Sequence, residues 1–185
     1  MPSDFTEKQL SSRTAYEGRL LRVHEDEVEL PDGGHARREY IIHPGAVVIL
    51  PFVDENTLLL EHQFRYPLQR HFLELPAGKI EKGEAPELTA QRELLEETGY
   101  VARHWEFLTT LHPCVGYSDE RIELFLARDL RFEGHPGEDD EFIETINLSI
   151  DVLLEKIFAR ELTEAKTILG VLWADRLRKA VTGTA

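Results

Sequence analysis

The chain has 185 residues, enough for one domain with a full hydrophobic core and too few for two ordinary domains. Its 35 acidic residues outnumber 21 basic ones, which gives a formal net charge of -14. Because such a field repels a nucleic-acid backbone, we expect no polynucleotide partner. The longest apolar run, residues 45–53, is too short to cross a bilayer, so no membrane association is expected.

The cellular compartment is indicated by the first residues and by the cysteine count. The chain begins Met-Pro-Ser-Asp-Phe-Thr-Glu-Lys, which lacks the basic start and apolar stretch of a secretory signal. Cys114 is the single cysteine, so an internal disulfide and a cysteine-rich zinc site are both excluded. We therefore expect a cytoplasmic protein.

Apolar stretches separated by turn residues predict strands in the first half of the chain. Residues 18–30 and 35–43 flank a Pro-Asp-Gly-Gly turn at 31–34, which indicates a hairpin. Two further strands are predicted at residues 46–53 and 57–65, on either side of a polar turn. Both are rich in Val, Ile and Leu, so we expect them at central positions of a sheet.

A helix is predicted from Pro86 to Thr98, because Pro86 suits a first helical position and Gly99 suits a left-handed C-terminal cap. The later elements predicted in chain order are strands at 104–111, 121–128 and 142–148 and helices at 150–160 and 163–181. Strands and helices interleaved in this way predict an α+β domain whose mixed sheet is covered by helices on both faces.

The predicted helix carries Glu93, Glu96 and Glu97, whose spacings of three and four residues place their carboxylates on one face. Such a face is usually only a solvated charged stripe. Here the glutamates repel each other and lie in the last turns, where the helix dipole also disfavours negative charge. A bound divalent cation would offset both effects, since Mg²⁺ takes oxygen ligands. Glycines at positions 78 and 83 of the preceding loop would let backbone carbonyls approach the same ion.

This loop and helix resemble a known signature. Gly78, five residues, Glu84, seven residues, then Arg-Glu-Leu-Leu-Glu-Glu-Thr-Gly at 92–99 match the box of the Nudix hydrolase family. The final position, usually aliphatic, is Tyr100. The resemblance implies a Nudix-type α/β/α sandwich with a mixed β-sheet, preceded by an N-terminal antiparallel β extension. It also implies a loop–helix–loop that carries the catalytic Mg²⁺ or Mn²⁺ ions.

The resemblance also implies a role for each matching position. The expected metal ligands from this segment are the backbone carbonyl of Ala77 and the side chains of Glu93, Glu96 and Glu97. The side chains of Glu84 and Arg92 would orient these carboxylates rather than touch the substrate.

A second acidic run occupies residues 138–141, just before a predicted strand. Such a run is usually a solvated loop. Its setting, however, resembles the loop that supplies the base or a further metal ligand in Nudix enzymes acting on ADP-ribose. Glu141 is the first choice for both roles, and Asp139, where that family often has Glu, is the second choice for the base. Glu96 and Glu120 are the next candidates for the base.

Two further segments, residues 63–67 and 116–120, resemble the ADP-ribose pyrophosphatase branch of the family. Arg65 would hold a phosphate or terminal sugar through its planar guanidinium, and an edge-strand salt bridge is the alternative. Glu120 would support waters at the metal site. In the second segment two residues separate the proline from the glycine, whereas the branch places them side by side.

The expected reaction is metal-dependent hydrolysis of the pyrophosphate bond of a nucleoside diphosphate sugar, with ADP-ribose giving AMP and ribose 5-phosphate as first choice. Two alternatives stay open: another sugar nucleotide cut at the same site, or a module that senses a nucleotide without cutting it. The complete set of box glutamates favours an enzyme.

The residues before position 45 exceed what a minimal Nudix domain requires. In the ADP-ribose branch such an extension packs against a second subunit. The expected organisation is therefore an N-terminal β extension at 1–44, a Nudix domain at 45–185, and a homodimer.

Overall fold

The computed structural model describes residues 3–134 and 142–182. The chain divides into two compact units, one with the residues up to Pro44 and His112–Arg121, the other with Gly45–Leu111 and the residues from Ile122 onward. The segment His112–Arg121 thus groups with the N-terminal residues, although it lies inside the expected 45–185 domain. Within the described ranges, none of the helices has the length and apolar character that a membrane crossing needs.

The N-terminal unit is built on an antiparallel sheet of three strands in the order of the chain, namely β1 (Lys8–Glu17), β2 (Arg22–Glu29) and β3 (His35–Ile42). The predicted hairpin is confirmed as β2 and β3. Gly33 has a φ of 84° in its turn, a conformation that glycine adopts without steric cost. Strand β1 was not predicted; all ten of its residues are exposed, so no alternation of apolar side chains announces it.

Backbone and side-chain hydrogen bonds hold this unit together. The segment His112–Arg121 is bonded to strand β3, since the Ile41 amide donates to the Tyr117 carbonyl at 2.9 Å. On the sheet, the buried carboxylate of Asp26 accepts hydrogen bonds from Gln9 at 2.7 Å and from Tyr40 at 3.0 Å.

The elements of the second unit, in chain order, are β4 (Ala46–Pro51), β5 (Thr57–Arg65), a 3₁₀ turn (Tyr66–Leu68), β6 (Arg70–Glu74), β7 (Ala77–Lys79), α1 (Pro86–Thr98), β8 (Tyr100–Leu111), β9 (Ile122–Phe132), β10 (Glu144–Ser149), α2 (Ile150–Phe158) and α3 (Ala165–Thr182). One sheet is mixed, with the order β7-β4-β9-β8 and a parallel β4–β9 pair. The other is antiparallel, with the order β10-β5-β6. Strands β4 and β5 are therefore interior strands of their sheets, as their composition predicts.

Strand β4 is buried along its whole length and separates two hydrophobic clusters. On one face Val47 and Ile49 pack with Leu94 of α1. On the other face Val48 and Leu50 share a cluster with residues of α2 and α3, namely Ile150, Leu153, Val171 and Ala174. Helices thus cover both faces, which confirms the predicted α/β/α sandwich with a mixed sheet.

Two short strands of this unit were not predicted. Strand β7 has only three residues, and its pairing of Gly78 with Val47 of β4 is a long-range contact that local sequence does not signal. Strand β6 combines Arg70 and His71, both exposed, with buried residues, and it lies at the edge of its sheet. The segment expected to be only a loop before α1 therefore begins as a strand of the mixed sheet.

Candidate metal centre

Helix α1 has the predicted bounds. Pro86 occupies a first helical position, and Gly99 ends the helix with a φ of 74° while its amide donates to the Leu95 carbonyl. Ala90 and Leu94 are fully buried and anchor the helix on the mixed sheet. The glutamates are held next to strand β7, as the following contacts show.

The side chain of Arg92 connects the helix to the loop before it. Its Nε and Nη2 atoms donate to the two carboxylate oxygens of Glu84 at 3.1 and 3.0 Å. Its Nη1 atom donates to Glu93 at 2.9 Å and to Glu96 at 2.8 Å. Its Nη2 atom also reaches the carbonyl of Lys79 at 3.3 Å. One guanidinium thus fixes three carboxylates relative to the loop.

These contacts stabilise the ionised form of the Glu84 carboxyl group. Hydrogen bonds from Arg92 and then Thr89 lower the pKa of the Glu84 carboxyl from 4.5 to about 2. The same contact with Glu84 raises the pKa of Arg92. At neutral pH the two groups therefore form a charged pair, with Thr89 Oγ1 donating to Glu84 at 2.8 Å.

Gly78 lies in close contact with Glu93. A Cβ atom at position 78 would lie 1.9 Å from Cδ and Oε1 of Glu93, so a side chain there would occupy the space of that carboxylate. The glycine is thus required by proximity, whereas at Gly83 a φ of 84° accounts for the residue. The carboxylate of Glu93 packs directly on the backbone of strand β7.

The other expected backbone ligand, Ala77, contacts the helix through its amide. The Ala77 amide donates to Oε2 of Glu97 at 3.0 Å. This bond connects strand β7 to the last turns of α1 and brings Ala77 beside an expected ligand. The role of its carbonyl as a ligand stays a prediction.

Sequence reasoning missed Glu61, a residue of strand β5 that is only 3% exposed. Its carboxyl group makes a hydrogen-bonding contact with that of Glu97, and burial raises the pKa of both groups. The pKa of Glu97 is raised further by the charges of Glu61 and Glu93. A glutamate directly after three leucines in an interior strand was the signal that could have identified it.

Arg65 lies at the end of the same strand. Its Nε and Nη2 atoms donate to the two carboxylate oxygens of Glu74 at 2.7 and 2.8 Å, and Lys166 donates to Glu74 as well. Burial would raise the pKa of Glu74, but the bonds from Arg65 and Lys166 outweigh it and lower the pKa. The Arg65 side chain is 44% exposed. It forms the salt bridge that the sequence offered as an alternative, and its role toward a substrate stays a prediction.

Three candidate residues remain, namely Glu120, Glu141 and Asp139. Glu120 belongs to the N-terminal unit, where its Oε1 lies 3.8 Å from Nε2 of His43 and its amide donates to Ser118. Glu141 and Asp139 lie outside the described residues. Their expected roles, and that of Glu120, are thus not decided by these contacts.

The donor set at the helix suits a hard divalent cation. Its side-chain donors are carboxylate oxygens, which such ions prefer, and Oε1 of Glu61 is buried without a hydrogen-bond partner in the described part of the chain. As the described residues stand, no three His, Cys, Asp or Glu side chains are placed to hold an ion. Arg92 engages Glu93 and Glu96, while Glu61 and Glu97 contact each other.

A mixed sheet between helices, with an acidic helix and a glycine-containing strand on one face, defines a three-layered α+β domain with a carboxylate-rich site. Residues 42–166 match the family described as the NUDIX domain, and residues 7–41 match the nucleoside diphosphate sugar hydrolase N-terminal domain. The chain therefore belongs to the Nudix hydrolase family and is an enzyme of that family.

Characterised relatives cover most of the chain. An ADP-ribose pyrophosphatase of Bacillus subtilis is 39% identical over 167 residues, which are 89% of this chain and 90% of that protein. A methanol dehydrogenase activator of Bacillus methanolicus is 39% identical over 90% of this chain and 91% of its own length. An ADP-ribose pyrophosphatase of Mycobacterium tuberculosis is 40% identical over 69% of this chain and 62% of its own. These relatives place the chain in the ADP-ribose pyrophosphatase branch of the family.

The fold is shared with a solved structure. The crystal structure of an ADP compounds hydrolase superposes with a TM-score of 0.86 over 100% of both chains. The two sequences are 24% identical, so this likeness concerns the fold alone.

Proposed function

We propose that this enzyme hydrolyses the pyrophosphate bond of a nucleoside diphosphate sugar with the help of Mg²⁺ or Mn²⁺, and that it cuts ADP-ribose to AMP and ribose 5-phosphate. One observation carries the proposal: Glu93 packs on Gly78 while Glu97 is bonded to Ala77, so helix and strand bring oxygen donors to one place. The relatives named ADP-ribose pyrophosphatase support the choice of substrate.

The proposed ligands on this part of the chain are the carbonyl of Ala77 and the side chains of Glu93, Glu96 and Glu97, with Glu141 as a further ligand. When bound, the cation would neutralise the diphosphate and lower the pKa of the attacking water. Arg92 and Glu84 are proposed to orient the ligands. The Arg92 guanidinium donates hydrogen bonds to Glu93 and Glu96 at 2.9 and 2.8 Å, and Glu84 accepts a hydrogen bond from the same guanidinium. The Glu97 carboxylate is held by the Ala77 amide, so three of the proposed ligands have restrained positions, which favours a fixed reaction geometry.

The attacking water must give its proton to a carboxylate that is ionised. Glu141 is the proposed base and Asp139 the second choice, followed by Glu96 and Glu120. The hydrogen bond from Arg92 occupies one of the Glu96 oxygens. A base outside the Arg92 contacts keeps its oxygens available for the water.

Arg65 is the proposed contact to the diphosphate or terminal ribose. Glu74 fixes its guanidinium by two hydrogen bonds, and the side chain is 44% exposed. A guanidinium held in this way loses little freedom when it binds a phosphate. The bond to Glu74 and a contact to substrate are therefore compatible.

The proposal is tested by incubating the purified chain with ADP-, GDP- and UDP-sugars in the presence of Mg²⁺ or Mn²⁺ and separating the products chromatographically. We expect AMP and ribose 5-phosphate from ADP-ribose in equal amounts, with the other substrates cut more slowly. A higher kcat/KM for another sugar nucleotide would assign that substrate instead. Binding of ADP-ribose without cleavage under either ion would favour a sensing module.

A further inference from the structure

The carboxyl group of Glu61 has an uncommon environment. It lies on interior strand β5, is 3% exposed, and its Oε1 atom accepts no hydrogen bond from the described residues. Buried carboxylates are normally paired with a cation or with several donors, because burial removes their hydration. An unpartnered buried oxygen on a carboxyl group whose neighbour is a second carboxyl group indicates a partner other than the side chains around it.

The two cationic side chains that act on Glu61 do not supply a partner for its Oε1 atom. Lys166 and Arg65 both influence Glu61 electrostatically, yet both donate their hydrogen bonds to Glu74. Glu74 faces Glu61 across the β5–β6 pair. These two cations contact Glu74 and Glu164, and their charge acts on Glu61 without a hydrogen bond to its Oε1 atom.

The carboxyl group of Glu61 also makes a side-chain hydrogen-bonding contact with that of Glu97, one of the proposed ligands. Glu97 in turn accepts the Ala77 amide at 3.0 Å, so its position is fixed by strand β7. Two carboxylates from different elements are thus held in contact, and one of them has an unpartnered oxygen. This is an arrangement that a hard cation between them would stabilise.

We propose that Glu61 is a further ligand of the divalent cation, supplied by strand β5 rather than by the acidic helix. The inference rests on the proposed function, because it assumes that Glu93 and Glu97 hold the ion. Glu61 lies outside the Nudix box, and it gives the cation a ligand from the second sheet. The buried Oε1 atom would then gain the partner that the protein does not provide.

The test is direct binding of Mn²⁺ to the full chain, measured from the electron paramagnetic resonance signal of the free ion. Glu61→Gln keeps the shape of the side chain and removes its charge, and we expect its affinity for Mn²⁺ to fall by at least about tenfold. Glu61→Asp keeps the charge on a shorter side chain and should give an intermediate loss. Glu97→Gln is the reference for loss of a proposed ligand.

The matched control is Asp26→Asn in the N-terminal unit. Asp26 is also a buried carboxylate with one unpartnered oxygen, but it belongs to the antiparallel sheet of that unit. Its substitution should leave Mn²⁺ affinity within about twofold of the original. The comparison separates loss of a ligand from the general effect of neutralising a buried acid.

Thermal unfolding gives a second readout that does not depend on activity. An ion that binds only the folded chain raises its unfolding temperature. Metal-free Glu61→Gln should unfold at about the same temperature as the unaltered chain, since glutamine keeps the size and shape of the side chain. Its rise on addition of Mn²⁺ should be smaller.

Three results would overturn the inference: a Glu61→Gln affinity equal to that of Asp26→Asn, an undiminished rise with Mn²⁺, or failure of the metal-free variant to fold. If Glu97→Gln weakens binding and Glu61→Gln does not, this inference alone fails. If neither weakens it, the metal centre in the proposed function fails as well.

Discussion

At the scale of single residues, Glu97 of helix α1 contacts both strand β7 and the buried Glu61 of strand β5. It accepts the Ala77 amide and contacts Glu61. Glu97→Gln keeps these dimensions but removes a ligand charge, so we expect kcat to fall by at least about a hundredfold, on the order of the loss of a single catalytic group. The measurement is the steady-state rate at several Mg²⁺ concentrations, with circular dichroism as a check on folding. An unaltered rate and metal dependence would refute the assignment.

The choice of base is tested at residues 139 and 141. Removal of a general base lowers a rate by about 100- to 10,000-fold, whereas removal of a solvated carboxylate hardly changes it. Glu141→Gln should therefore lower kcat by at least the smaller factor with little change in KM, and Asp139→Asn should have a smaller effect. The reverse order would make Asp139 the base. If both variants keep full activity, Glu96 and Glu120 become the candidates.

The Glu84–Arg92 pair predicts a specific dependence of stability on pH. The folded pKa of Glu84, about 2, lies below the usual 4.5, so protonation opposes folding. The stability from this carboxylate is fully present above pH 4.5 and is lost as the pH falls toward about 2. The destabilisation caused by Glu84→Gln, measured by urea unfolding, should accordingly shrink over that window.

Glu87→Gln is the control for this measurement, because Glu87 is an exposed glutamate of the same helix. Its substitution should have a small effect at every pH. A Glu84→Gln effect that stays constant between pH 6 and pH 3 would show that Arg92 does not stabilise the folded chain through the ionised carboxylate.

At the scale of elements, helix α1 is held on the mixed sheet by its buried side. Leu94 is fully buried with Val47 and Ile49, so Leu94→Ala should leave a cavity and destabilise the fold by about 2 to 5 kcal/mol. Leu88 is 57% exposed on the same helix, and Leu88→Ala should change stability by no more than about 0.5 kcal/mol. Urea unfolding of both variants checks the difference. Equal losses would mean that the helix does not dock through Leu94.

The elements also show how far sequence reasoning extends. The bounds of α1 were predicted correctly because proline and glycine mark both ends chemically. Strands β1 and β7 were not predicted: one is exposed along its length, and the other owes its three residues to pairing with β4. Glu61 was missed for a related reason, since its contact with Glu97 arises only when β5 and α1 meet in the fold. Local sequence patterns therefore predict helix ends and turns, whereas contacts between distant residues leave weaker signals in the sequence.

At the scale of the whole molecule, we propose that residues 1–44 form an extension that joins two copies of the chain. Strand β1 lies at the edge of its sheet, and it exposes Leu10 and Tyr16 by 41% and 58%. An exposed edge strand with apolar side chains offers both backbone and apolar surface to a second copy. Multi-angle light scattering at micromolar concentration should give twice the mass of one chain.

A substitution on this strand locates the interface. Leu10→Asp would place a charge on the apolar surface of β1, and the measured mass should shift toward that of one chain. Leu88→Asp makes the same change at an exposed leucine of α1 and should leave the mass unaltered. A single-chain mass for the unaltered protein would exclude the dimer, and equal behaviour of the two variants would exclude β1 as its interface.

Because Gly78 is in contact with Glu93, a substitution at position 78 is expected to affect folding and turnover to different degrees. Gly78 has no left-handed φ, so an alanine there is permitted by the backbone, and the atoms it would displace are the far end of a flexible side chain. Such a substitution would displace the Glu93 carboxylate, which also accepts a hydrogen bond from Arg92. In a library of all residues at position 78, selection for expression and heat resistance would accept variants that selection for turnover rejects. Gly78 is therefore expected to matter more to turnover than to folding.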